Sequence, residues 1–199
     1  MNILLVNNYS IYFSLLKKQL SKFARLKIVM LDDVLLKDCK SVDAVVLSGG
    51  GKYNVSVTPN MFSEQYKIVK SGIPVLGVCL GFQIICHAFG EPVIRLPSTI
   101  EGRERIRKVG DDQILKNIPV HFNAQEGHSW GVKTLKKNTL VILAKSNHCI
   151  EAVRHKSLPV WGVQFHPEAS KNMSGARVIH NFIEVCKKKY AKRTNKKSL

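Results

Sequence analysis

Long apolar runs are missing from this 199-residue chain: none approaches the ~18 residues that a bilayer-spanning helix needs. The first residues, MNILLVNNYS, carry no basic stretch ahead of their apolar segment and no small-residue cleavage site after it. They read as a first core strand rather than a signal peptide, and the expected location is the cytoplasm. Paired cysteines are missing too. Cys39, Cys79, Cys86, Cys149 and Cys186 are odd in number and widely spaced, with no CxxC. Neither a disulfide framework nor a zinc site is expected, and free thiols fit a reducing compartment. No GxGxxG and no GK[ST] follow any strand-like segment, which excludes the usual dinucleotide and P-loop signatures. There is no internal repeat, no zinc finger and no aromatic RNA-binding pattern. Acidic residues are scarce: 14 Asp and Glu stand against 31 Lys and Arg, for a formal charge of +17. The C-terminal KKKYAKRTNKKSL supplies seven of those basic residues and no acid. Such a surface fits an acidic partner, or simply a lysine-rich, solvated chain end. Nucleic acid is not the expected partner.

What the chain does contain is an alternation of elements. Strands are expected at Ile3–Val6, Lys27–Leu31, Val42–Leu47 and Val75–Val78. Helices are expected at Tyr12–Phe23, with Leu15, Leu16 and Leu20 on its apolar face, at Met61–Lys70 and at Leu80–Phe89. That order predicts an α/β domain whose central, mostly parallel but mixed sheet is flanked by helices. The strands are continuously apolar, as strands buried on both faces are. The second half is richer in strands, at Arg105–Val109, Val120–Ala124, Leu140–Ala144, Ile150–Val153 and Val160–Phe165. A last helix is expected over Gly175–Lys188, with Val178, Phe182 and Val185 as its stripe. One domain over residues 1–188 and a basic, unstructured tail over 189–199 account for the length.

Three segments carry chemistry. Gly77-Val78-Cys79-Leu80-Gly81 is G-x-C-x-G at a strand-to-helix junction, the cysteine form of the nucleophile elbow. A side chain at such a turn stands out above the sheet, on a strained backbone, with its neighbours two positions away brought close together. The helix N-terminus favours the thiolate, and the backbone N–H of Leu80 is free to meet an oxyanion. The remaining cysteines lack this setting and read as structural. The second segment is VWGVQFHPE. His166 ends an apolar strand, Pro167 stops it, and Glu168 is placed two residues on to orient the imidazole. The third is Leu47–Gly51, LSGGG, whose glycines let backbone approach a ligand and make it a candidate oxyanion loop.

GVCLGFQ, VQFHPE and LSGGG, in this order and spacing, resemble the class I glutamine amidotransferases over about residue 2 to Lys187. The resemblance implies a flavodoxin-like fold and a catalytic triad of Cys79, His166 and Glu168. It implies an oxyanion hole from the N–H groups of Gly50 and Leu80, and substrate contacts from Gln83 and from the segment His128-Ser129-Trp130. It implies hydrolysis of glutamine through a cysteine thioester, with the ammonia passed to a synthetase. It also implies no cofactor or metal in this chain, ATP and Mg²⁺ being bound by the partner. KNIPVHFNAQEGH and RVIHNFIEVC look most like the amidotransferase subunits of archaeal-type GMP synthetases, whose partner is an ATP pyrophosphatase subunit that converts XMP to GMP. His128-Ser129-Trp130 and NNYSIYF look more like the anthranilate and aminodeoxychorismate synthase branch. A non-catalytic regulatory subunit would be expected to lack the cysteine, histidine or glutamate, and all three are present; a nucleic-acid-binding subunit would act through the basic tail, with steep salt dependence lost on truncation at Lys187. Gly51 stands where the family commonly has proline.

Overall fold

A computed structural model describes residues 1–171 and 173–195. Nine strands form a single sheet in the order β2-β1-β3-β4-β9-β8-β7-β5-β6. Its first half is parallel: β1 (Asn2–Asn7) lies between β2 (Arg25–Met30) and β3 (Ala44–Leu47), followed by β4 (Val75–Val78) and then β9 (Val160–Val163). The second half is antiparallel: β8 (Ile150–His155), β7 (Leu140–Lys145), β5 (Ile94–Lys108) and β6 (His121–Gly131). The expected mixed α/β sheet is therefore present, with antiparallel pairing filling the half that lacks crossover helices.

Side-chain alternation explains why both faces of the parallel half are covered. Ile3 and Leu5 of β1 join one core with Val46, Leu76 and Val78. Helix α1 (Phe13–Leu20) adds Leu16 and Leu20 to it, and α4 (Arg177–Asn195) adds Val178, Phe182 and Ile183. Leu4 and Val6 join the opposite core with Val45, Leu47 and Val75, beneath α2 (Ser63–Lys70) and α3 (Leu80–Ala88). On α1 the buried pair is Leu16 and Leu20, an i, i+4 pair, while Leu15 is largely exposed. α4 runs past its predicted end at Lys188, and residues 196–199 of the expected tail lie outside the described residues.

The largest difference from the sequence reading is the β5–β6 hairpin. β5 begins at Ile94, well before the predicted Arg105, and β6 continues to Gly131, past the predicted Ala124. Pro97 falls within a register shift between Arg95 and Ile100, and pairing resumes beyond it, with Gly102 opposite Glu126. This matters for the site, because the extension of β6 carries Gly127–Trp130. No helix among the described residues is long and apolar enough to cross a membrane.

Candidate active site

Cys79 sits between β4 and α3 with φ 50° and ψ −103°. An L-residue there costs on the order of 1–3 kcal/mol and persists only where its surroundings enforce it. The enforcement is visible in the flanking glycines. A Cβ on Gly77 would lie 2.3 Å from the Gly81 carbonyl oxygen, and a Cβ on Gly81 would lie 2.3 Å from the Leu47 carbonyl oxygen. The first turn of α3 is thus pressed onto the ends of β3 and β4, and the cysteine between the glycines has nowhere else to go. Its side chain projects from the carboxyl end of the sheet, beside the helix N-terminus.

His166 and Glu168 arrive from the segment after β9. His166 donates its backbone N–H to the Gln125 carbonyl at 2.8 Å, which ties the segment to β6. Glu168 meets the ring as predicted, with Nδ1 to Oε1 at 2.9 Å. A turn at Pro167 brings the two together rather than extended backbone: the Ala169 N–H bonds the His166 carbonyl. Both side chains are almost wholly buried. Burial works against a charge on His166, but the neighbouring Cys79 sulfur and the hydrogen-bonded Glu168 carboxylate outweigh burial. They raise its pKa well above the usual histidine value. The imidazolium is held beside the thiol, with Nδ1–H on the carboxylate.

Around this trio lie residues that the sequence reading did not single out. The Tyr12 ring meets the His166 ring edge-on at 4.7 Å between centroids. Gln19 on α1 donates to the Glu168 carbonyl at 2.8 Å. The Ser170 hydroxyl donates to the His166 carbonyl at 2.6 Å. Gln164, one pleat before the histidine, donates to the Cys79 sulfur at 3.6 Å. Asn8, Ser48 and Gln65 form a fully buried network behind the glycine loop: the Asn8 amide donates to the Ser48 carbonyl, and Gln65 donates to Asn8. Only the polar residues interrupting apolar segments, Asn8 after β1 and Ser48 after β3, could have pointed to that network.

The cavity beside Cys79 encloses about 540 Å³ and is bordered by Gly50, Gly51, Gln83, Arg95, Gly127 and Trp130, among others. That suits a small polar molecule. Gly50 presses against the β1 end, where an added Cβ would stand 1.9 Å from the Asn8 carbonyl oxygen and 3.0 Å from Leu80 Cδ2. Gly50 and Leu80 therefore adjoin, as an oxyanion loop and elbow require. Gln83, one turn along α3, donates to the Trp130 carbonyl at 2.9 Å and to Gln164 Oε1 at 3.2 Å. Both of its amide hydrogens are thereby engaged, and its Oε1 remains for a ligand. Ser129 bonds Thr99 across the hairpin at 2.9 Å. The His128 ring is held by Nδ1 on the Trp130 carbonyl at 2.8 Å, and His128 borders the cavity. Gly51 has open space where a Cβ would go and no left-handed φ. Gly51→Ala is expected to keep the fold and raise stability by about 0.4–1 kcal/mol through the unfolded state. A denaturant midpoint at or below wild type would refute this.

Residues 4–186 match the family described as glutamine amidotransferase class-I. The chain belongs to that family. Among curated relatives, a glutamine-hydrolyzing GMP synthase subunit of Methanococcus aeolicus is 36% identical over 76% of this chain and 78% of its own length. The protein of the same name from Archaeoglobus fulgidus is 30% identical over 94% of this chain and its whole length. Among solved structures, a putative GMP synthase subunit from Thermoplasma acidophilum superposes with a TM-score of 0.87 at 24% identity, covering 98% of each chain. At that identity the likeness speaks for the amidotransferase fold.

Proposed function

We propose that this chain is the glutamine-hydrolysing subunit of a GMP synthetase, releasing ammonia for a separate ATP pyrophosphatase subunit that binds ATP and Mg²⁺ and aminates XMP. The observation that carries the hydrolytic reading is the Cys79–His166–Glu168 arrangement beside a polar cavity. The branch rests on relatives named as glutamine-hydrolyzing GMP synthase subunits.

In this reading the Cys79 thiolate attacks the side-chain amide carbon of glutamine. The C=O electron pair moves onto oxygen, which faces the N–H groups of Gly50 and Leu80. Collapse of the tetrahedral intermediate expels nitrogen, which takes a proton from His166 and leaves as ammonia. A γ-glutamyl thioester remains on Cys79. Water then gives a proton to His166 as its oxygen attacks the thioester, and glutamate leaves as the Cys79 sulfur departs. Glu168 keeps the imidazole in the tautomer that presents Nε2 to the sulfur and stabilises its cation. Gln83 and the backbone of His128, Ser129 and Trp130 seat the amino-acid end of the substrate.

Glu168→Gln removes one of the charges that raise the His166 pKa. The imidazolium is then lost at lower pH, so the alkaline limb of the kcat/KM profile should move to lower pH, and kcat should fall roughly 10²-fold. An unmoved alkaline limb would remove Glu168 from the triad.

The branch is tested by glutamate release from the purified chain, alone and with the ATP pyrophosphatase partner, ATP, Mg²⁺ and XMP. Strong stimulation is expected. Stimulation by an anthranilate-type synthase with chorismate instead, as His128-Ser129-Trp130 would favour, keeps the chemistry and changes the pathway.

A further inference from the structure

Along β6, next to the segment that borders the cavity, lies a cluster of side chains that the hydrolytic mechanism does not use. Glu126 and His128 project from β6, where their i, i+2 spacing puts them on one face; Cys149 immediately precedes β8 and Glu151 lies at its start. All four are buried, at 0%, 6%, 5% and 1% exposure. His128 Nε2 lies 3.2 Å from Glu126 Oε2, and Cys149 Sγ lies 3.2 Å from Glu151 Oε1. The ligand atoms of His128, Cys149 and Glu151 all fall within 4.8 Å of one another. Yet Glu126 Oε1 and Glu151 Oε2 have no hydrogen bond in the protein, and His128 Nε2 and Glu126 Oε2 have only each other. Orphaned polar atoms this deep are costly, at about 1–3 kcal/mol each. Their convergence is the second observation, because it says that something belongs between them.

We propose that His128, Cys149, Glu151 and Glu126 hold a single zinc ion. The donor set of one imidazole, one thiolate and two carboxylates is one that zinc accepts in tetrahedral geometry. With bonds of about 2.0–2.3 Å, ligand atoms around such an ion stand roughly 3.3–3.7 Å apart, so the two 3.2 Å pairs need to open by only a few tenths of an ångström. The outer contacts are those a metal site uses. His128 donates Nδ1–H to the Trp130 carbonyl, which leaves the Nε2 lone pair toward the cluster. The Ser146 hydroxyl donates to Glu151 Oε1 at 2.7 Å and fixes that carboxylate. Three groups that can each carry a negative charge share one dry space, and a divalent cation would offset them. The ion would tie β6 to β8 next to the strand segment that borders the cavity.

The test is metal content of the full purified chain, dialysed against a chelator and reloaded with zinc. About one zinc per folded chain is expected, and its binding should weaken at least tenfold in Glu126→Gln. Cobalt loaded in place of zinc should give a thiolate-to-cobalt charge-transfer band. That band should persist in Cys79→Ser and vanish in Cys149→Ser. Where Cys149→Ser does not fold, the Glu126→Gln affinity and the band in Cys79→Ser decide. Two results overturn the proposal. One is a folded wild-type chain that holds less than a tenth of an equivalent after reloading and shows no band, which leaves a protonated carboxyl pair. The other is a band lost with Cys79→Ser, which places the metal on the nucleophile.

Discussion

Replacing Cys79 with serine is expected to lower glutamine-dependent glutamate release by on the order of 10⁴-fold or more, while ammonia-dependent synthesis by the complex with its synthetase stays near wild type. Sulfur is intrinsically the better nucleophile and His166 stands beside it as base, whereas a serine hydroxyl in the same place keeps its proton and is a weak nucleophile. The exchange is nearly isosteric, so the elbow, the cavity and the docking surface survive. The other thiols offer no substitute. Burial pushes Cys39 up to about 11 and Cys186 up to about 12, and raises Cys86 and Cys149 as well. A single equivalent of an alkylating reagent should therefore modify Cys79 first, with glutamine protecting it. Peptide mapping reads this directly. Loss of both glutamine- and ammonia-dependent activity in Cys79→Ser would mean that the chain does more than deliver ammonia. Retention of glutamine-dependent activity would end the thioester reading.

The two halves of the candidate site were legible because each is local. G-x-C-x-G encodes a turn whose steric demands fall on adjacent residues. H-P-E places a histidine and a carboxylate within one turn of each other. What joins them is not local. Tyr12, Gln19 and Gln125 reach His166 and Glu168 from other elements, and nothing in a short window marks a tyrosine after β1 as a neighbour of a histidine after β9. The β5–β6 hairpin was underread for a different reason. Pro97 and Gly102 weaken strand propensity locally, and cross-strand pairing with β6 overrides them once the register has shifted. Cys149 shows the limit of spacing rules. No CxxC marks it, and Glu126 and His128 come from a separate strand, so it reads as an inert core thiol until β6 and β8 are brought together.

Gly81→Ala tests the elbow from the backbone side, and its expected cost is about 3 kcal/mol or more, at the severe end for adding a single methyl. The added Cβ would lie 2.3 Å from the Leu47 carbonyl oxygen and 2.9 Å from Leu47 Cβ. Leu47 is fully buried in β3, paired with Val6 on one side and Gly77 on the other. It cannot retreat without disturbing the centre of the sheet. Helix α3 must move instead, and its first turn carries Cys79 and the Leu80 N–H. A displacement approaching ~1 Å would separate the sulfur from His166 and the oxyanion donors from the substrate carbonyl, costing roughly a further 10²-fold in kcat. Gly51→Ala adds the same methyl nearby where nothing lies within 4 Å, so it separates the effect of a crowded contact from the loss of a glycine. A Gly81→Ala chain with a wild-type denaturant midpoint and unchanged glutamate release would show that α3 does not sit against β3 as closely as described. The strained φ of Cys79 would then need another cause.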